Sequence, residues 1–119
     1  MNTRHLGNCG EDRAEHFLVG KGYQILSRNF AVAGGELDII AKDKTTLVFV
    51  EVKTRTSMAF GGPLAAVTPA KQKRIALAAA QYIKSTSAKF DSIRFDIIGI
   101  LPDKVEHIPN AFVPARTTL

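Results

Sequence analysis

Residues 35–53 read GELDIIAKDKTTLVFVEVK, and the fold expected for the rest of the chain is inferred from this stretch. Two short apolar runs flank the polar residues 42–46, a pattern and turn composition typical of a β-hairpin. Side chains alternate between the two faces of a strand, so Glu36 and Asp38 are expected to share a face with Ile40. The stretch therefore predicts two paired strands that carry ionisable groups among apolar ones.

The length of the turn sets which acidic residues face each other. A four-residue loop at residues 43–46 would place Asp38 directly opposite Glu51, whereas a two-residue turn would place Glu36 there instead. Directly opposed residues of an antiparallel pair lie on one side of the sheet, so either register gathers the acids of both strands on one face. Lys53 follows Glu51 by two positions and is expected on the same face.

Opposed carboxylates destabilise a sheet unless a cation offsets them, so this pattern indicates a divalent metal site. Mg²⁺ suits such a site because it takes few carboxylates, keeps several waters and binds a substrate phosphate. Lys53 would then stabilise charge at the reacting phosphate. The alternative is a simple ion pair between Glu51 and Lys53 on a solvated strand. The acids of the adjoining strand and the apolar opposite face, formed by Val48, Val50 and Val52, favour the metal site.

The composition predicts an ordinary globular chain of 119 residues, with one domain at residues 1–113 and a flexible tail at residues 114–119. The net charge of +5 favours an anionic partner, nucleic acid before membrane. Cys9 is the only cysteine, which excludes an internal disulfide and fits a reducing cytoplasm. No signal peptide or membrane-spanning run is recognisable, so a cytoplasmic protein is expected. The three histidines lack metal-ligand spacing and are interpreted as surface or helix residues: His5, His16 and His107.

A first helix is predicted from about Cys9 to Lys21, followed by a strand at residues 23–31. Glu11 shares the buried stripe of this helix. Two interpretations stay open: an acid that favours the helix dipole, or a further member of the acidic site.

A second helix is predicted from the N-cap Thr68 and from Pro69 to about Ser85. Three cations crowd its first turns: Lys71, Lys73 and Arg74. Cations at a helix N-terminus oppose the dipole, so they indicate either a bound phosphate or a solvated charged face. The aperiodic loop at residues 54–68 carries Arg55, which could add a phosphate contact.

The last elements are an apolar strand at residues 93–101 and a possible edge strand at residues 105–113, where Pro109 excludes a central position. Arg94 and Asp96 are interpreted as a structural pair or a sheet-edge feature. The order of elements predicts an α/β sandwich whose mixed sheet of four to five strands is flanked by helices.

With these residues in place, the chain resembles the PD-(D/E)XK nuclease superfamily. It is identified as a member of the uncharacterised bacterial YraN family, which is similar to archaeal Holliday junction resolvases. The motifs that carry the resemblance are Gly10-Glu11, residues 35–38 (GELD), residues 50–53 (VEVK), Phe60-Gly61 with Lys71, and residues 94–96 (RFD). Leu37 stands where the superfamily label has proline, and this leaves the carboxylate position intact.

The resemblance implies a restriction-endonuclease-like fold and a nuclease site. Asp38 and Glu51 would bind Mg²⁺ or Mn²⁺ together with the backbone carbonyl of Val52, Lys53 would be the catalytic lysine, and Glu11 would be the first-helix acid of resolvases. The expected function is metal-dependent cleavage of DNA rather than RNA, including branched or Holliday junction DNA, by a chain that could act as a homodimer. The alternative is a module on a nuclease scaffold that binds nucleic acid without cleaving it.

Overall fold

The computed structural model describes residues 3–56 and 62–114, with backbone alone for residues 3–8 and Pro63. The helices are α1 (Thr3–Gly20), α2 (Gly62–Ala65) and α3 (Pro69–Ser85). The strands are β1 (Gln24–Val32), β2 (Gly35–Asp43), β3 (Thr46–Thr54), β4 (Ser92–Ile100) and β5 (Val105–Ile108).

The five strands form one mixed sheet in the order β1-β2-β3-β4-β5. β3 and β4 are parallel and the other neighbours are antiparallel, because α3 carries the chain back across the sheet between β3 and β4. β5 is an edge strand, as the sequence predicted, but it ends at Ile108 and not at residue 113, because Pro109 has no N–H to continue the pairing. The predicted mixed sheet flanked by helices is therefore confirmed, and it is consistent with a restriction-endonuclease-like fold.

Each face of the sheet has its own apolar core. On one face, Ala14 and Leu18 of α1 pack with Val48 and Val50 of β3, which confirms the predicted apolar face opposite the acids. On the other face, Ile75, Ala78 and Ala79 of α3 pack with a set of sheet residues that includes Phe49, Phe95 and Ile97. Neither long helix of the described residues is apolar enough over its length to cross a membrane.

The turn between β2 and β3 is tighter than predicted. Asp43 pairs with Thr46, so only Lys44 and Thr45 connect the strands, and Lys44 adopts a left-handed φ of 57°. The register is nevertheless the one predicted for a loop at residues 43–46. The additional pair Asp43–Thr46 lengthens both strands by one residue and does not shift one strand relative to the other.

The helix boundaries were predicted unequally well. Thr68 caps α3, accepting a hydrogen bond from the amide of Lys71 at 3.3 Å, and Ser85 ends the helix as predicted. α1 begins at Thr3, before the predicted start at Cys9. The predicted loop at residues 54–68 contains the short α2, while Phe60-Gly61 and residues 115–119 of the predicted tail lie outside the described residues.

Two glycines let the helices approach the sheet closely near the open end of the hairpin. A Cβ at Gly10 of α1 would lie 2.5 Å from Oγ1 of Thr54, and a Cβ at Gly35 of β2 would lie 2.4 Å from the carbonyl oxygen of Arg74 on α3. Real Cβ atoms do not approach so closely, so glycine at both positions seats α1 and α3 beside the acidic stretch.

Candidate active site

The acids of the hairpin meet at its open end. The regular pairing of β2 with β3 ends at Ile39 and Val50, and one further step places Asp38 opposite Glu51. This is the first of the two predicted registers, and the alternative with Glu36 opposite Glu51 is wrong. The strands separate here, so side chains and backbone groups beyond the last pair are free to make other contacts.

Asp38 and Glu51 interact directly. Burial, and then the hydrogen bond and negative charge of Glu51, raise the pKa of Asp38 to about 7. The amide of Val52, which donates to Oδ2 of Asp38 at 2.8 Å, and the charge of Lys53 oppose this shift. Near neutral pH and without a cation, the Asp38 carboxyl is therefore partly protonated, as expected of an acid that faces another acid in a partly desolvated site.

The alternation of side chains in β2 is interrupted next to Asp38. Leu37 and Ile40 both pack in the core beneath α3, whereas Ile39 packs in the core beneath α1. Strict alternation would have placed Leu37 with Ile39, and the expectation that Glu36, Asp38 and Ile40 share one regular face is correspondingly too simple. Across from Asp38 in β1, Asn29 has a left-handed φ of 53°, which marks a local irregularity in this pair of strands.

Lys53 is paired with Glu51 at 3.2 Å, so the simple ion pair that the sequence left open does exist. It is not isolated, because the side chain of Lys71 approaches from α3. The hydrogen bond and charge of Lys53 lower the pKa of Lys71. Two ammonium groups thus lie together beside one carboxylate, an arrangement that an additional anion would stabilise.

An open cleft of about 70 Å³ lies over these groups, with room for several water molecules. Its lining residues are Glu36, Glu51, Lys53, Lys71, Arg74 and Ile75. Of the predicted phosphate-binding residues, Lys71 and Arg74 face the cleft, while Lys73 is exposed on α3 and does not line it. Arg55 donates to the carbonyl of Thr54 at 3.0 Å and lies near enough to Lys71 to lower the pKa of that lysine.

Glu11 reaches the site from α1. Burial, followed by the negative charge of Asp38, raises its pKa, and Arg28 offsets this with a contact of 3.4 Å. The structure therefore brings Glu11 beside Asp38, on the opposite side from Lys71. Its predicted role as a further acid of the site stays a prediction.

The donor set fits a hydrated Mg²⁺ or Mn²⁺ ion. Asp38 and Glu51 supply hard oxygen ligands whose mutual repulsion a cation would relieve. The amide N–H of Val52 points at Asp38. In a β-strand the N–H and C=O of one residue point to the same side, so the carbonyl of Val52 also faces the gap beside Asp38. Among residues 3–56 and 62–114, no three acidic, histidine or cysteine side chains form a ready-made cage.

A second polar cluster lies on the α1 face of β4, away from the cleft. Asp96 is fully buried and accepts hydrogen bonds from Nε of Arg94 at 2.8 Å, from His107 at 2.7 Å and from the amide of Asn110 at 2.9 Å. Arg94 and Asp96 thus form the predicted structural pair, but on an interior strand rather than at the sheet edge.

The interpretation of His107 as a surface or helix residue is wrong, since it lies on β5 with 4% of its side chain exposed. Its alternation with Val105 on the inner face of an edge strand was a signal that could have placed it. His16 is an exposed helix residue as predicted, and the side chain of His5 lies outside what the structure describes.

Sequence reasoning also missed Arg28 and Asn29. Arg28 bonds three acidic residues of α1 and pairs with the position next to Asp38. The available signal was a basic side chain within a strand, facing a helix that carries acids four positions apart at Glu11 and Glu15.

Comparison with known proteins agrees with the family that the motifs predicted. The sequence model described as "Uncharacterised protein family UPF0102" matches residues 10–100. A UPF0102 protein of Syntrophomonas wolfei is 48% identical over 114 residues, covering 92% of this chain and 99% of the relative. UPF0102 proteins of Chlorobium phaeobacteroides (47% over 118 residues; 91% and 94% coverage) and Caldicellulosiruptor saccharolyticus (48% over 100 residues; 84% and 85%) are similar along most of their length.

Proposed function

This chain belongs to the uncharacterised protein family UPF0102, and we propose that it is a metal-dependent endonuclease that hydrolyses phosphodiester bonds in DNA. The observation that carries the proposal is the meeting of Asp38, Glu51 and Lys53 at the open end of the hairpin, where Glu51 and Lys53 line a cleft together with further cations. The same two acids and lysine underlie the resemblance to the PD-(D/E)XK superfamily and to archaeal Holliday junction resolvases. Membership of that superfamily and the similarity to those resolvases are part of the proposal.

Asp38, Glu51 and the carbonyl of Val52 would hold Mg²⁺ or Mn²⁺, with Glu11 adjacent. When bound, such an ion supplies Lewis acidity at a phosphate oxygen and lowers the pKa of an attacking water. Until then, the Asp38 carboxyl is partly protonated near neutral pH, and the amide of Val52 fixes its orientation.

The lysines would act on the substrate. Glu51 holds the Lys53 ammonium at 3.2 Å, so this charge is positioned before substrate arrives and can stabilise the negative charge that develops on the phosphate. Lys71 and Arg74 line the same cleft and would bind neighbouring phosphates by charge-assisted hydrogen bonds.

The net charge of +5 favours a polyanionic substrate. We propose DNA over RNA and include branched DNA such as four-way junctions, with the cytoplasm as the site of action. One such cleft cuts one strand, so paired cuts would require a homodimer with two sites.

The test is cleavage of linear duplex, single-stranded, flap and four-way-junction DNA at equal concentration, with Mg²⁺, Mn²⁺ or chelator. We expect metal-dependent cutting that falls by about 100-fold or more in Lys53→Ala, since loss of a preorganised charge costs about this much. Lys84→Ala is the matched control, because it removes the same charge from an exposed position in the last turn of α3 and should cut normally.

Undiminished cutting by Lys53→Ala or Asp38→Ala would contradict the assignment of these residues. Binding without cutting in every metal would replace the nuclease with the alternative, a non-cleaving nucleic-acid-binding module. The specific observation in favour of that module is the convergence of Lys71 and Arg74 on the cleft, which serves binding in either case.

A further inference from the structure

Arg28 joins β1 to α1 through a fork of ion pairs. Its Nη1 lies 2.8 Å from Asp12 and 3.4 Å from Glu15, and its Nη2 lies 3.4 Å from Glu11. These partners differ in exposure: the side chain of Asp12 is 62% exposed and that of Glu11 is 16% exposed. The pair with Asp12 therefore lies in solvent and contributes little, while the contact with Glu11 is shielded.

Arg28 is also adjacent to the acidic site through the sheet. It pairs with Ile39 of β2, the residue that follows Asp38. Its Nε is buried and finds no hydrogen-bond partner in the described parts of the chain. The guanidinium is therefore held through its two Nη groups, both of which bond acids of α1.

Asn29 supports the same carboxyl. Its left-handed backbone at φ 53° lies where β1 passes Asp38, and its side chain is close enough to Glu11 to lower the pKa of that carboxyl. Asparagine tolerates this left-handed conformation better than most residues, so the residue type fits the position.

α1 is pressed onto the sheet at this point. Gly10 precedes Glu11 and lies so near Thr54 that a Cβ would be 2.5 Å from its hydroxyl. The position of Glu11 is therefore limited by Arg28, Asn29 and Asp38. The direction of its side chain depends on Arg28 and Asn29.

We propose that Arg28 and Asn29 are positioning residues that aim the Glu11 carboxylate at the metal site of Asp38 and Glu51. This inference rests on the proposed function, since it assigns these residues a role toward the same ion. Neither residue touches the substrate or the ion, and both act through Glu11.

The sign of the effect separates positioning from charge. Arg28 is a cation near the proposed ion, so removing its charge alone would strengthen binding of a divalent metal. Removing a group that orients a neighbouring ligand weakens metal affinity, typically by about 10- to 100-fold. Weaker binding after loss of a nearby positive charge is therefore the signature of positioning.

The experiment is calorimetric titration of the metal-free protein with Mn²⁺ in about 0.15 M salt, where surface charges are screened. We expect the Kd to rise about tenfold or more in Arg28→Gln and less in Arg28→Lys. Asn29→Gly, which keeps the left-handed backbone and removes the amide, should shift it in the same direction. Asp12→Asn is the matched control, because it breaks the shortest ion pair of Arg28 without touching Glu11, and its Kd should be unchanged.

A double-mutant cycle links the effect to Glu11. Arg28→Gln should cost nothing further in a Glu11→Gln background, because there is no carboxylate left to aim. An unchanged or lower Kd in Arg28→Gln, or full additivity in the cycle, would overturn the inference.

Melting temperature in chelator monitors folding of each variant. If Arg28→Gln does not fold, Asn29→Gly decides, and an unchanged Kd there overturns the inference. Absence of Mn²⁺ binding by the unaltered chain would overturn the metal site itself, which is the proposed function and not only the role of Arg28.

Discussion

At the scale of single residues, the raised pKa of Asp38 is the property with the clearest consequence. Burial and the neighbouring carboxyl raise the pKa of Asp38 to about 7, above its ordinary value of 3.8. Over the interval between these values, the native protein binds a proton that the unfolded chain does not. Stability from this group is therefore present at low pH and is lost as pH rises through the interval.

We predict that this loss is measurable in the metal-free protein. On going from pH 5 to pH 8, the free energy of unfolding of Asp38→Asn should rise by about 2 kcal/mol relative to that of the unaltered chain, since the amide cannot ionise. The measurement is urea unfolding in chelator at both pH values. The comparison with the variant removes the contributions of other groups, such as Asp96. A difference between the two proteins that is equal at both pH values would contradict the raised pKa of Asp38.

The sequence left two registers open, but in both of them acids of the two strands face each other, and this much could be predicted from it. The contacts that modify these acids could not. Arg28 is 17 residues from Glu11 in sequence, and its fork forms only once β1 and α1 pack together. The irregularity at Leu37 and Asn29 likewise depends on tertiary packing and has no local turn signal.

At the scale of elements, the Asp96 cluster fastens the edge strand β5 to the sheet. Lys21 has only donors and lies 2.9 Å from Nδ1 of His107, so the imidazole carries its proton on Nε2 and donates it to Asp96. Burial alone would raise the pKa of Asp96, but hydrogen bonds from His107, Arg94 and Asn110 hold it below its ordinary value.

Removing this carboxylate should be strongly destabilising. Asp96→Ala leaves Arg94, His107 and an amide without their acceptor, and breaking a buried ion pair from one side costs about 3–5 kcal/mol. Asp43→Asn is the control, because Asp43 meets the same Arg94 only at 3.7 Å on a partly exposed side chain, and should cost less than about 1 kcal/mol. Equal losses for both variants in urea unfolding would show that the cluster does not fasten β5.

The elements themselves were predicted where local chemistry determines them. α3 has a hydroxyl N-cap and a proline at its first position, and both of its ends were predicted from the sequence. The start of α1 was predicted too late, because the prediction rested on apolar residues such as Ala14 and Leu18, which lie in the second half of the helix. His107 was misplaced because its burial depends on Asp96, Phe17 and Tyr23, which lie on other elements.

At the scale of the whole molecule, the fold gathers cations and acids at one cleft. Lys53, Lys71 and Arg74 line it together with Glu36 and Glu51. The order of elements was sufficient to predict the mixed sheet, since a helix between parallel strands must cross one face. It was not sufficient to predict which cations of α3 face the cleft. Lys71 and Arg74 lie three positions apart on one helical face, while Lys73 turns away from it.

This distribution of charge leads to a prediction about DNA affinity. Each phosphate contact releases counterions, so the logarithm of the binding constant should fall linearly with the logarithm of salt concentration. Lys71→Ala and Arg74→Ala should each reduce the slope by about 1 and weaken binding to all sequences alike, because they contact phosphates rather than bases.

The measurement is fluorescence anisotropy of a labelled duplex and a labelled four-way junction, in chelator so that no cleavage occurs, across a series of salt concentrations. Lys73→Ala is the informative control, since Lys73 lies on the same helix but outside the cleft, and its slope should match that of the unaltered chain. A slope reduced as much by Lys73→Ala as by Lys71→Ala would mean that DNA meets the whole exposed face of α3, and that the cleft does not select which phosphates are held.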